Sequence, residues 1–303
     1  MKLLTFHTRS SANSCFGVLL SDNRVLDITA SGGDLPASLL DCIQRGDSAL
    51  EKVRAAAGDT EAKLKRGESS PNVVALSAVE LEAPLRPGKI MAVGKNYADH
   101  VAEGSGTKYN RVAGFVKLSS CVVPHGAGIV KPRWTEQYDY ENELAVIMGR
   151  TCSDVPLESA YDYVFGYSIM NDLSARDVQM AERKEGNICI GKNFPTSCPF
   201  GPWIVTKDEI PDPHDLRIVT RVNGTVRQDS TTAKQIYRIP EQIAWYSHAG
   251  FEPGDAISTG TPSGTALGYK GPGTWYLQPG DRVECEIERI GTLVNTCRNA
   301  DNA

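Results

Sequence analysis

A chain of 303 residues, 41% hydrophobic and 23% charged, has the make-up of a globular protein with room for one large domain, or one large and one small. A net charge of −5 without any basic block argues against nucleic acid as a partner. No apolar run approaches the ~18–20 residues of a membrane span, the N-terminus lacks the apolar core of a signal peptide, and none of the eight cysteines forms a C-x-x-C pair. A cytoplasmic protein with reduced thiols, without nucleic-acid or membrane partners, is expected.

Residues 1–80 read as a small α+β unit. Leu4-Thr5-Phe6, Phe16 to Leu20 and Val25 to Ile28 have strand character, with Asp22-Asn23-Arg24 as a turn. Ser38 to Ala57 carries Leu39, Leu40, Ile43, Leu50 and Val53 at roughly helical spacing, and Asp59 to Pro71 reads as a loop or a frayed helix. No chemistry is visible in this part. Pro84-Leu85-Arg86-Pro87-Gly88 marks a boundary, so the chain divides into 1–80 and a larger unit, 85–303.

The larger unit opens with a buried strand, Lys89 to Val93, then Gly94-Lys95-Asn96-Tyr97. In the turn that follows, His100 and Glu103 share a helical face. A carboxylate beside an imidazole orients the ring and raises its basicity, which suits a general base; an ordinary exposed pair has the same spacing. Gly104-Ser105-Gly106 then offers a segment able to move as a lid. Phe115 to Leu118 and Ile129-Val130 read as strands.

Tyr138 to Gly149 reads as one strand. Alternation puts Glu141 and Glu143 on one face, roughly 7 Å apart along the chain. Two carboxylates beside an apolar run are either a solvated edge or a buried pair with positive charge between them. In the second case a divalent cation is the simplest partner, and oxygen ligands favour Mg2+, Mn2+ or Ca2+ over zinc. Val164 to Met170 is another strand. Beyond it Asn171 or Asp172 can cap a helix, with Asp172, Arg176 and Gln179 on one face, fit either for a salt bridge or for holding an anionic substrate.

Gly186 to Lys192 gives G-x-x-x-x-G-K, but Asn193 stands where a phosphate loop needs Ser or Thr. Asn223-Gly224 marks a hairpin, and Pro240 to Tyr246 can be helical. Thr259-Gly260-Thr261-Pro262-Ser263-Gly264-Thr265 exposes amides and hydroxyls that could cradle a carboxylate, or is a plain turn. In Val283 to Arg289, Glu284, Glu286 and Glu288 alternate outward as a solvated face. Many short strands and few helices make a mainly β fold, rolled or barrel-like.

Taken together, Gly94-Lys95-Asn96-Tyr97 with His100 and Glu103, Asp139-Tyr140-Glu141-x-Glu143-Leu144-Ala145, Asn171-Asp172 with Ala175 to Gln179, Gly191-Lys192-Asn193-Phe194 and Ser258 to Gly264 resemble the fumarylacetoacetate hydrolase superfamily, in its bacterial-type, acylpyruvase-like branch. The resemblance covers about residues 85–297, in family order. It implies a mixed β-roll/β-sandwich with a small N-terminal α+β domain, and a homodimer. It implies Mg2+ or Mn2+ held by Glu141, Glu143 and Asp172, with His100 and Glu103 activating water and Lys192 supporting an anionic intermediate. Arg176, Gln179 and Thr261 would contact a small 2-oxo acid. The implied activity is hydrolysis of a C–C bond in a 3-acylpyruvate. Oxaloacetate decarboxylation, isomerisation or hydration of 2-hydroxymuconate-type acids, and non-catalytic binding of a small acid are the alternatives.

Overall fold

The structure is a computed structural model that describes residues 1–8, 11–103 and 108–300. The N-terminal part contains β1 (Lys2–Thr8), β2 (Ser11–Leu19), β3 (Arg24–Asp27), α1 (Ile28–Ser31), α2 (Leu39–Arg45), α3 (Asp47–Lys65), β4 (Val73–Ala75) and β5 (Val79–Leu81). The single helix expected over 38–57 is two. Gly46, at φ 70°, ends α2 and opens α3, and α3 runs on to Lys65, into the stretch read as a loop or a frayed helix.

The remainder begins with β6 (Ile90–Val93), α4 (Ala98–Glu103), β7 (Gly114–Lys117), β8 (Val122–Val123) and β9 (Gly128–Lys131). It continues through β10 (Tyr138–Asp139), β11 (Asn142–Met148), β12 (Val164–Asn171), β13 (Ser174–Ala175), α5 (Arg176–Lys184) and β14 (Cys198–Thr206). It ends with β15 (Arg217–Val222), β16 (Thr225–Thr231), α6 (Ile239–Tyr246), β17 (Ala256–Ser258), β18 (Arg282–Ile287) and β19 (Gly291–Asn299). Asn223 and Gly224, at φ 52° and 77°, make the tight turn between β15 and β16.

Among the described residues, one sheet of twelve strands has the order β4-β3-β2-β1-β14-β12-β11-β17-β6-β7, with β5 on β1 and β8 on β14. A second sheet of five strands runs β16-β15-β18-β19-β9. The largest core fills the space between these sheets. Leu144, Val146 and Ile169 from the first meet Ile218, Val283 and Leu293 from the second. Alternate residues of β11 enter a different core: Ala145 and Ile147 face Leu3, Phe16 and the helical residues Ile43 and Val53. Strand β11 is therefore covered on both sides, which explains its continuous Leu-Ala-Val-Ile-Met run.

The expected strand over 138–149 is interrupted. Tyr140 and Glu141 separate β10 from β11, and the Glu141 N–H donates to Asn171 Oδ1 (3.0 Å) instead of to a ladder carbonyl. Asn171 is thus used to shape this break and does not cap a helix. Helix α5 starts three residues after Leu173, with Ala175 at its N-cap and Asp172 outside it.

Candidate functional site

Register brings the carboxylates together. Asn142 of β11 pairs with Asn171 of β12, so Glu141 and Asp172 leave the same end of the strand pair, with Glu143 one residue inside. Oxygens of Glu141, Glu143 and Asp172 lie within 4.8 Å of one another, and all three residues are buried. Strands β17 and β6 end at the same edge. From β17 comes Gly260, whose N–H donates to Glu143 Oε2 (2.9 Å), while Ser258 Oγ donates to the same oxygen (2.6 Å). After β6, Asn96 donates to the Thr259 and Tyr237 carbonyls (2.7 and 3.0 Å) and braces that loop.

Positive charge surrounds the triad. Lys192 Nζ bridges Glu141 Oε2 (2.5 Å) and Asp172 Oδ2 (2.7 Å). Gly191 sets its position, because a Cβ there would fall 2.5 Å from the Gln179 backbone. Arg176 donates to Glu141 Oε1 (2.6 Å), to Asp139 Oδ2 (2.7 Å) and to Gln179 Oε1 (3.0 Å). Asp139 in turn accepts the Ala266 and Leu267 N–H groups, so it fixes Arg176 against the following loop. Lys117 is fully buried: its Nζ donates to the Lys192 carbonyl (2.6 Å) and lies 2.7 Å from Asp172 Oδ1. Asp172 Oδ1 is buried, and this ion pair with Lys117 is its one polar partner among the described residues.

Burial would raise the Glu141 carboxyl, but Arg176 and Lys192 beside it hold it well below the usual carboxylate range. Glu143 goes the other way: burial, then the charges of Asp172 and Glu141, push it up to about 8. Its hydrogen-bond donors, Ser258 and Gly260, are neutral. A carboxyl raised by burial and by two carboxylate neighbours within 4.8 Å is the environment that a divalent cation relieves. The all-oxygen donor set fits a hard cation.

The other expected site residues lie around one cavity of about 850 Å3, which reaches the triad and is also lined by His100, Arg176, Gln179, Lys192 and Thr261. His100 Nδ1 lies 3.4 Å from Glu103 Oε2, and Glu103 Oε1 accepts the Gly264 N–H (2.8 Å). Asp99 ties this turn to the body through Ser230 (2.8 Å) and Lys234 (2.9 Å). The Thr261 hydroxyl donates to the Asn142 carbonyl and accepts from Gln228, both at 2.9 Å, so it is engaged in holding the loop. The Gly104-Ser105-Gly106 segment, expected to be able to move as a lid, lies outside the described residues. Sequence reasoning missed Lys117, Asp139 and the cavity residues Lys95, Tyr109 and Arg183. Among the described residues, no helix is long and apolar enough to cross a membrane.

Buried carboxylates at the edge of a mainly β fold, beside a histidine-bearing turn, make a candidate metal-dependent active site, and sequence similarity leads to a family of enzymes. Residues 89–298 match the family described as Fumarylacetoacetate (FAA) hydrolase C-terminal, and the chain belongs to that family. It is 39% identical over 306 residues to oxaloacetate tautomerase YisK of Bacillus subtilis, covering 96% of this chain and 99% of that one. In structure it is similar to the fumarylacetoacetate hydrolase of Exiguobacterium antarcticum (TM-score 0.77, 34% identity, 99% of both chains). It is also similar to maleylpyruvate hydrolase from Sphingobium sp. SYK-6 in complex with manganese(II) and pyruvate (TM-score 0.76, 31% identity, 99% of both chains).

Proposed function

We propose that this chain is a divalent-metal-dependent enzyme that interconverts the keto and enol forms of oxaloacetate. The observation that carries this reading is the position of His100, which lines the same cavity as the buried carboxylate triad and is paired with Glu103. Similarity over nearly the full chain to an oxaloacetate tautomerase supports it. Glu141, Glu143 and Asp172 would hold the cation, Mg2+ or Mn2+, which when bound would polarise the 2-oxo group as a Lewis acid.

The protein's own groups account for the proton. Glu103 faces His100 Nδ1 and favours the tautomer with hydrogen there, which leaves Nε2 as the base. Nε2 takes a proton from C3, the C–H electron pair forms the C2–C3 double bond as the C2–O π pair moves onto oxygen, and the proton held on His100 is returned to that oxygen to give the enol. Net composition is unchanged. Lys192 places positive charge where oxygen becomes negative, and Arg176 holds an anionic substrate group. The test is enol absorbance of oxaloacetate followed with Mn2+ and with chelator. Expected are metal-dependent equilibration faster than in buffer, its loss with chelator, and a fall of ~100-fold or more in His100→Asn.

Hydrolysis of 3-acylpyruvate-type acids, the activity expected from the sequence, is the second reading. The His100–Glu103 pair and the similarity to maleylpyruvate hydrolase favour it. Metal-dependent pyruvate release from acylpyruvates, with oxaloacetate equilibrating no faster than in buffer, would put it first. Inactivity in both assays would remove both readings.

A further inference from the structure

The cavity holds a second cationic cluster that the chemistry above does not use. Arg176 and Gln179 lie on the first turn of α5, at the triad. Arg183 follows Arg176 by seven residues, on the same helical face and about 10 Å further along the axis. Arg183 lines the same cavity, as do Lys95 and Tyr109. Arg183 Nη2 donates to Tyr109 OH (2.9 Å), and Lys95 Nζ stands 5.6 Å from the centre of the Tyr109 ring. Among the described residues, the contacts of Arg183 are to Tyr109 and not to a carboxylate.

Two details show that this cluster is held in place. Lys95 has a φ of 52°, in the left-handed region that side chains with a Cβ disfavour, directly before the Asn96 that braces the triad loop. Burial, with the nearby charge of Arg183, lowers the Lys95 ammonium from its ordinary value. An arginine hydrogen-bonded to a phenol, with a lysine at the same ring and both facing a cavity, makes a receptor for an anion.

Building on the 2-oxo acid site above, we propose that Arg183, with Lys95 and Tyr109, binds the distal carboxylate of a 2-oxo diacid whose 2-oxo end lies at Glu141, Glu143 and Asp172. An extended chain advances only about 1.2 Å per bond, so the spacing along α5 leaves room for diacids longer than the four carbons of oxaloacetate. The site therefore selects diacids over monoacids.

Stable 2-oxo acids read this directly. Calorimetric titration of the Mn2+-loaded protein would compare pyruvate and 2-oxobutanoate with 2-oxoglutarate and 2-oxoadipate. The better diacid is expected to bind at least tenfold more tightly than 2-oxobutanoate. Arg183→Gln is expected to remove most of that preference while changing the pyruvate Kd less than twofold. Lys184→Gln deletes the same charge one residue away, at an exposed position outside the cavity, and should keep the preference. Equal weakening of pyruvate and diacid in Arg183→Gln, or the same loss of preference in Lys184→Gln, overturns the distal subsite alone. Failure of pyruvate to bind the wild type in a Mn2+-dependent way overturns the 2-oxo acid site itself, and the subsite with it.

Discussion

Glu143 and Lys117 carry opposite lessons about buried charge. Glu143 is raised to about 8 by burial and by Asp172 and Glu141, so at neutral pH a cation entering the triad must displace its proton. Mn2+ affinity should climb almost tenfold per pH unit up to about 8 and level off above. Calorimetry in buffers of different ionisation enthalpy would show release of close to one proton at pH 7. A flat affinity profile would mean that Glu143 is ionised without metal. The same shift sets a stability sign. The unfolded carboxyl ionises at its ordinary pH while the folded one keeps its proton, so metal-free stability falls as pH rises from about 4.5 to about 8. Glu143→Gln removes that loss. Its Tm in chelator at pH 8 should exceed that of the wild type, while Mn2+ affinity drops by ~100-fold or more. Lys117 behaves otherwise. Lys117→Met leaves Asp172 Oδ1 and the Lys192 carbonyl without the Lys117 ammonium, although Lys192 still pairs with Asp172 Oδ2, and should cost about 3 kcal/mol in urea unfolding. A loss below about 1 kcal/mol would show that Asp172 needs no such partner. The E-x-E pair was legible because spacing alone puts two acids on one face. Lys117 was not, because strand polarity is reversed at its position. Val116 and Leu118 are 51% and 50% exposed while Lys117 is 1% exposed, and an apolar-inward pattern hides it.

Loops, more than strands, make the site. The Thr259–Thr265 segment was readable in sequence as an amide-rich turn able to cradle a carboxylate, and Gly260 does donate to Glu143; that the carboxylate would come from the protein itself was not readable. Gly260 has a φ of 94°, and a Cβ there would fall 2.8 Å from Asn96 Cβ. Gly260→Ala should therefore cost about 1–3 kcal/mol and weaken Mn2+ binding as well, because the strained loop can relax only by moving its N–H away from Glu143. Chemical denaturation and metal titration on one preparation would check both; lost stability with unchanged affinity would separate the loop from the triad. Helix boundaries were less legible for a related reason. Asn171 has the chemistry of a cap, yet its side chain takes the Glu141 N–H at the strand break. An acceptor next to several free donors cannot be assigned to one of them from sequence.

At the scale of the molecule, the turn-rich segment near Pro84 is visible in sequence, but the contacts across it are not. Strand β1 pairs with β14, with Leu3 opposite Ile204, and the Met1 amino group donates to Thr206 Oγ1 (2.6 Å). Partners some 200 positions apart leave no periodic trace in either segment. The same holds for the core beneath them. Leu3, Phe16, Ile43 and Val53 share one cluster with Ala145, Ile147, Phe200 and Ile204, so the inner face of β11, the face on which Glu143 lies, is covered by N-terminal residues. The turn-rich segment separates 1–80 from 85–303 in sequence, whereas the shared core argues that the two unfold together. The full chain should then melt in a single calorimetric transition, with Mn2+ shifting the whole of it upward because a ligand of the triad stabilises everything that unfolds with the triad. A fragment of residues 85–303 would expose that face of β11 and the β14 edge together, and should aggregate or lack a sharp transition. Two resolved transitions in the full chain, of which Mn2+ moves only the upper, would show instead that the N-terminal unit unfolds on its own and that the β1–β14 seam is weaker than its buried contacts imply.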